Sequence, residues 1–165
     1  MAMVGLFCIT EDEVHLGAPP CESGPGVRVA AAGLEAVGPQ SGSWTWADLS
    51  SVTVVGVPAK NTPGRQLSMT LDLVLGAMGL GGPESPPEMT VRVEVSDGMT
   101  ELVAHSAAAG AYTHREVELS HQVLDRFVTG TLSPAVLTDW CRTHGDRKSP
   151  RPAEREAVLE QWAQS

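Results

Sequence analysis

The stretch that most constrains the fold is residues 27–57, VRVAAAGLEAVGPQSGSWTWADLSSVTVVGV. Val27 and Val29 fall on one parity, Gly33 permits a tight reversal, and residues 34–37 resume an extended pattern. Residues 38–43 make a second reversal, Trp44 and Trp46 alternate onto one face, and the run at 51–57 is a strand. Short strands joined by reversals this tight pair antiparallel, so the chain is built on an antiparallel sheet.

The flanking segments extend the pattern. Residues 3–9 and 14–16 predict a hairpin or an extra strand at the sheet edge, and residues 17–26, with three Pro and three Gly, predict a loop. Residues 66–75 alternate through Leu67, Met69, Leu71, Leu73 and Leu75, predicting a half-buried strand; residues 76–87 hold four Gly and three Pro and predict a connection. Residues 89–95 and 100–104 flank Asp97-Gly98, the strongest hairpin signal in the chain.

Beyond residue 112 the apolar period changes from two to that of a helix. Thr113 and Glu116 have capping-box spacing, and Val117, Val123, Leu124, Phe127 and Val128 share one arc that ends at Gly130, predicting a helix over 114–129. Ser133-Pro134 opens a second helix, with Val136, Leu137, Trp140 and Cys141 along one side. A charged, Pro-containing linker at 146–152 leads to a last helix over 153–164. The expected organisation is a sheet domain with its closing helix over 1–130 and a C-terminal helical extension over 131–165. The expected fold class is α+β: an antiparallel barrel or strongly bent sheet closed by an amphipathic helix, followed by one or two further helices.

Gly33-Leu34, Trp46-Ala-Asp-Leu49 and the strand at 52–55, followed by the hairpin at 91–104 and the helix at 116–128, resemble the pleckstrin-homology-like family, particularly its bacterial members. The resemblance spans about residues 27–130. It implies a binding scaffold without a catalytic centre. Phosphoinositide-binding members of the family carry Lys and Arg around the first hairpin loop. Here that loop, residues 38–43, has no basic residue and Arg28 stands alone nearby, so a phosphorylated headgroup lacks its charge-assisted hydrogen bonds. Protein contacts are expected in preference to lipid.

Composition excludes other classes. A net charge of -9 over 165 residues repels phosphate backbones and anionic membranes, so neither nucleic acid nor a membrane surface is an expected partner. No apolar run approaches the roughly 18 residues of a membrane span, and the N-terminus does not read as a signal segment, so the expected location is the cytoplasm. Cys8, Cys21 and Cys141 have neither zinc-knuckle nor disulfide-scaffold spacing.

The sharper chemical readings are few. His114, Glu118, His121 and Asp125 lie on one stripe of the helix over 114–129, a spacing that can hold a divalent metal; a solvated stripe is the expected reading. No G-x-S-x-G elbow is present, and Lys60 and Arg65 flank a turn read as solvated. No catalytic residue, cofactor or metal is therefore expected. Trp44 and Trp46 are expected in the core, whereas Trp140, Val158, Leu159 and Trp162, on the C-terminal helices, are the candidate partner-binding residues. The expected function is a non-enzymatic interaction or adaptor module that binds protein through a sheet edge or a sheet–helix groove. Lipid-headgroup targeting and a small hydrolase or metal site are the alternatives. The segment at 3–9 or the last helix offers a route to a homodimer.

Overall fold

Gly5-Leu6 is the first reversal, and φ of +57° at Gly5 is a left-handed conformation that a side chain resists. A Cβ there would also collide with Ser120 Oγ and Leu159, so this turn needs glycine to seat against two helices. The computed structural model describes residues 1–59, 87–107, 112–144 and 149–165. The strand expected at 66–75, nearly all of the connection at 76–87, and Lys60 and Arg65 lie outside the described residues.

Six strands follow one another as an antiparallel meander: β1 (Ala2–Val4), β2 (Phe7–Ile9), β3 (Val14–Leu16), β4 (Gly26–Val29), β5 (Gly33–Val37) and β6 (Ser43–Thr45). A second antiparallel sheet holds β7 (Leu49–Val55), β8 (Glu88–Val95) and β9 (Gly98–His105). The β8–β9 register pairs Val95 with Gly98, so Ser96-Asp97 forms the two-residue loop and Gly98 opens the return strand. Three helices complete the α+β fold: α1 (His114–Thr129), α2 (Ala135–His144) and α3 (Pro152–Gln164).

Of the expected barrel or strongly bent sheet, the described residues show two antiparallel sheets and no closed barrel. Among the described residues no ladder joins the six-stranded sheet to the three-stranded one, and β4 and β9 lie side by side without pairing. The Ala18 N–H bonds His105 O at 2.6 Å, and the next two residues, Pro19 and Pro20, have no N–H with which to continue a ladder. Gln40 makes a further link. Its Nε2 donates to Gly26 O (3.1 Å) and Val103 O (2.8 Å), and its Oε1 accepts from Val103 N–H (2.9 Å).

Alternation decides what each strand buries. Val4, Phe7, Ile9, Val14, Leu16, Val27, Val29 and Leu34 of the first sheet share one core with Val52, Val54, Met89, Val91, Val93, Leu102 and Ala104 of the second. From α1, Leu119, Val123, Leu124 and Phe127 join them, Phe127 edge-on to Phe7 with centroids 6.2 Å apart. Each such large side chain contributes roughly 1.5–3 kcal/mol on leaving water. The Thr113–Glu116 capping box and a left-handed Gly130 (φ +74°) end α1 where the sequence places its ends.

The helices after residue 130 share this core through Leu137, Cys141, Leu159 and Trp162. Polar links fasten α3 to α1: Arg155 pairs with the fully buried Glu116, Arg115 reaches Glu160 at 3.2 Å, and Arg126 Nη1 donates to Trp162 O at 2.8 Å.

Candidate functional site

Among the described residues the two sheets present four edges, and each edge strand turns alternate N–H and C=O groups away from the one strand it pairs with there. Three of the edges are met by side chains of the chain itself. On β1 the outward Met3 N–H donates to Ser149 Oγ (3.1 Å), and on β7 the outward Val54 N–H donates to His121 Nε2 (3.0 Å). On β9 the side-chain amide of Gln40 occupies both outward groups of Val103.

The fourth edge is β6. Its register with β5 pairs Gly33 with Thr45, Leu34 with Trp44 and Glu35 with Ser43. Bonds from Ala36 N–H to Gly42 O (2.8 Å) and from Trp46 N–H to Ala32 O (3.1 Å) fix the alternation. Trp44 therefore bonds inward to β5, while the backbone groups of Ser43 and Thr45 point outward. Thr45 O takes the Asp48 N–H (3.1 Å); among the described residues no group bonds the Ser43 N–H, the Ser43 C=O or the Thr45 N–H. A hollow of about 110 Å³ lies along this edge, lined by residues 32–35 and 43–45.

The two faces of the edge differ. Trp44 lies on the core-side face, half-buried, in line with Leu34, whereas Trp46 turns under the sheet to meet Phe127 at 5.4 Å and donates its Nε1–H to Ala30 O (3.2 Å). On the opposite face stand Ser43, Glu35 and Arg28, cross-strand neighbours in one row with His15. Arg28 binds Glu35 with two nitrogens and Glu13 at 3.2 Å, and Glu13 also meets His15 at 3.3 Å. The hydrogen bond from His15, followed by that from Arg28, holds the Glu13 carboxyl below the usual range, and Glu35 raises the Arg28 guanidinium further. A second, larger hollow of about 280 Å³ lies between this network and the start of α2, lined by Asp12, Glu13, Val29, Ala31, Pro134 and Thr138 among others.

Of the residues singled out from sequence, Leu159 and Trp162 are buried in the chain's own core. Trp140 and Val158 keep part of their surface. Trp140 packs edge-on against Trp162 (5.9 Å) and stacks on His144 (4.7 Å). The stripe His114, Glu118, His121 and Asp125 is divided: His121 is spent on the β7 edge, Glu118 pairs with Arg115 at 3.1 Å, and His114 and Asp125 are exposed. Among the described residues no group of three His, Cys, Asp or Glu side chains could hold a metal ion. Cys8 and Cys141 are buried and Cys21 is exposed; burial pushes the Cys8 thiol up, away from the thiolate a nucleophile needs.

Sequence reasoning marked Trp44 for its alternation but took the loop at 38–43 as a plain reversal. The edge role of Ser43 and the capping role of Gln40 depend on which strands end up without neighbours, and no local signal carries that. Comparison of the chain with protein-family models, with curated proteins and with solved structures finds no match in any of the three.

Proposed function

We propose that this chain is a non-enzymatic interaction module that receives an extended segment of a protein partner along β6, by strand addition. One observation carries the reading: among the described residues β6 keeps three outward donors and acceptors without a bonded partner beside a hollow, while a side chain of the chain closes at least one outward group on each of β1, β7 and β9. An uncapped edge is an aggregation hazard, and its short length limits that hazard while keeping three outward groups available to a partner. The reading extends to a pleckstrin-homology-like scaffold acting as a cytoplasmic adaptor. Its supports are the order of strand meander, hairpin and packed amphipathic helix, and the fact that no helix among the described residues is long and apolar enough to cross a membrane.

Ser43→Pro tests it. The substitution removes an outward N–H and leaves the Trp44–Leu34 ladder pair in place. Affinity capture from native extract with the full chain is expected to retain a stoichiometric protein that the Ser43→Pro chain, with an unchanged melting temperature, does not retain. A partner held equally by both chains would overturn the reading.

A further inference from the structure

We infer that the segment accepted by β6 carries basic residues on one face and an apolar residue between them, in strict alternation; this rests on the strand-addition reading above. A strand laid against β6 presents its side chains alternately to the two faces of the sheet. On one face it meets Ser43 and Thr45. Here the exposed Asp48 carboxylate is bonded to the Thr45 hydroxyl (Oδ2 to Oγ1, 2.8 Å), and Glu35 stands directly across from Ser43. The Arg28 guanidinium in this cross-strand row is shared by two carboxylates, Glu35 and Glu13, so the row retains negative charge. Ser43 is small and exposed and leaves a path for a long cationic side chain to reach back toward Glu35, about 10 Å from the added strand at two strand spacings.

On the other face the added strand meets the half-buried ring of Trp44, to which an apolar side chain is the complement. The pattern is therefore basic, apolar, basic, with the cations opposite Ser43 and Thr45. The chain's net charge of -9 adds long-range attraction for such a segment.

Three labelled synthetic peptides of equal length test this by fluorescence anisotropy with the full chain: alternating Arg and Val, alternating Glu and Val, and the Arg/Val composition with its arginines in one block. The alternating basic peptide is expected to bind at least ten-fold more tightly than either of the others. Ser43→Pro is expected to abolish that advantage, and Asp48→Asn, which lies outside every ladder, to reduce affinity two- to five-fold. Equal binding of the Arg and Glu alternating peptides, both lost in Ser43→Pro, would overturn the charge inference and leave the edge reading standing. Binding of the basic peptides that ignores residue order and Ser43→Pro alike would overturn both, and no binding of the alternating basic peptide would overturn the charge inference.

Discussion

Replacing Arg155 by Met tests how the C-terminal helix is held. Glu116 is fully buried, and its carboxylate has two partners: the Thr113 N–H (2.9 Å), part of the α1 cap, and Arg155 Nε from α3. Arg155 is itself only 12% exposed and also donates to Pro150 O at 3.1 Å. Removing the guanidinium leaves a carboxylate in the core with a single donor, and breaking a buried pair in this way costs about 3–5 kcal/mol. The retained Thr113 bond and the apolar Met stem place the expected loss near the lower end, about 3 kcal/mol. At roughly 2–4 °C per kcal/mol for a chain of this size, the melting temperature falls by about 6–12 °C. Glu116→Gln combined with Arg155→Met removes both charges and is expected to recover most of the loss, giving a coupling energy of about 2 kcal/mol in a double-mutant cycle. Urea unfolding monitored by circular dichroism, with unchanged slope, is the assay. A loss below about 1 kcal/mol for Arg155→Met, or additivity in the cycle, would refute the view that this pair fastens α3 to α1.

Gln40→Ala leaves both outward groups of Val103 without their partner and is expected to cost about 1–2 kcal/mol, water meeting part of the loss at this half-buried position. Gln40→Glu is expected to cost more, since a carboxylate has no N–H for Val103 O; equal losses measured by thermal melting would sink that account. Because the Glu13 carboxyl is held below its ordinary 4.5, its pairing with His15 and Arg28 contributes stability that is present above that value and lost as pH falls through the lowered one. Glu13→Gln should flatten the acid limb of the stability–pH curve slightly, as fits an exposed carboxylate, and an unchanged limb would show the pairing to be inert.

The local record of the sequence accounts for much of the architecture. The changes of period at 27–57, 89–104 and 114–129 mark strands and a helix because the backbone presents side chains at intervals of 2.0 and 3.6 residues whatever the surrounding fold. The same record marked Trp162 and Leu159 as an apolar face without saying what they bury against. An apolar stripe reads identically whether its counterpart is the chain's own core or another protein, and in the folded chain the counterpart is the core.

Sequence by itself determined the strands within 27–57 and 89–104, the capped ends of α1 and the negative charge, all set by neighbours within a few residues; it did not mark the Gly5-Leu6 reversal inside the run at 3–9, and the loop it centred on Asp97-Gly98 lies at Ser96-Asp97. Tertiary structure alone decided that no ladder joins the two sheets among the described residues, that His121 and Gln40 bond outward groups of edge strands, and that β6 is left with outward-facing groups. Those outcomes join residues 63 and 67 positions apart. They follow from which backbone groups lack a partner once the chain has packed, a property of the assembled sheets that no single segment carries.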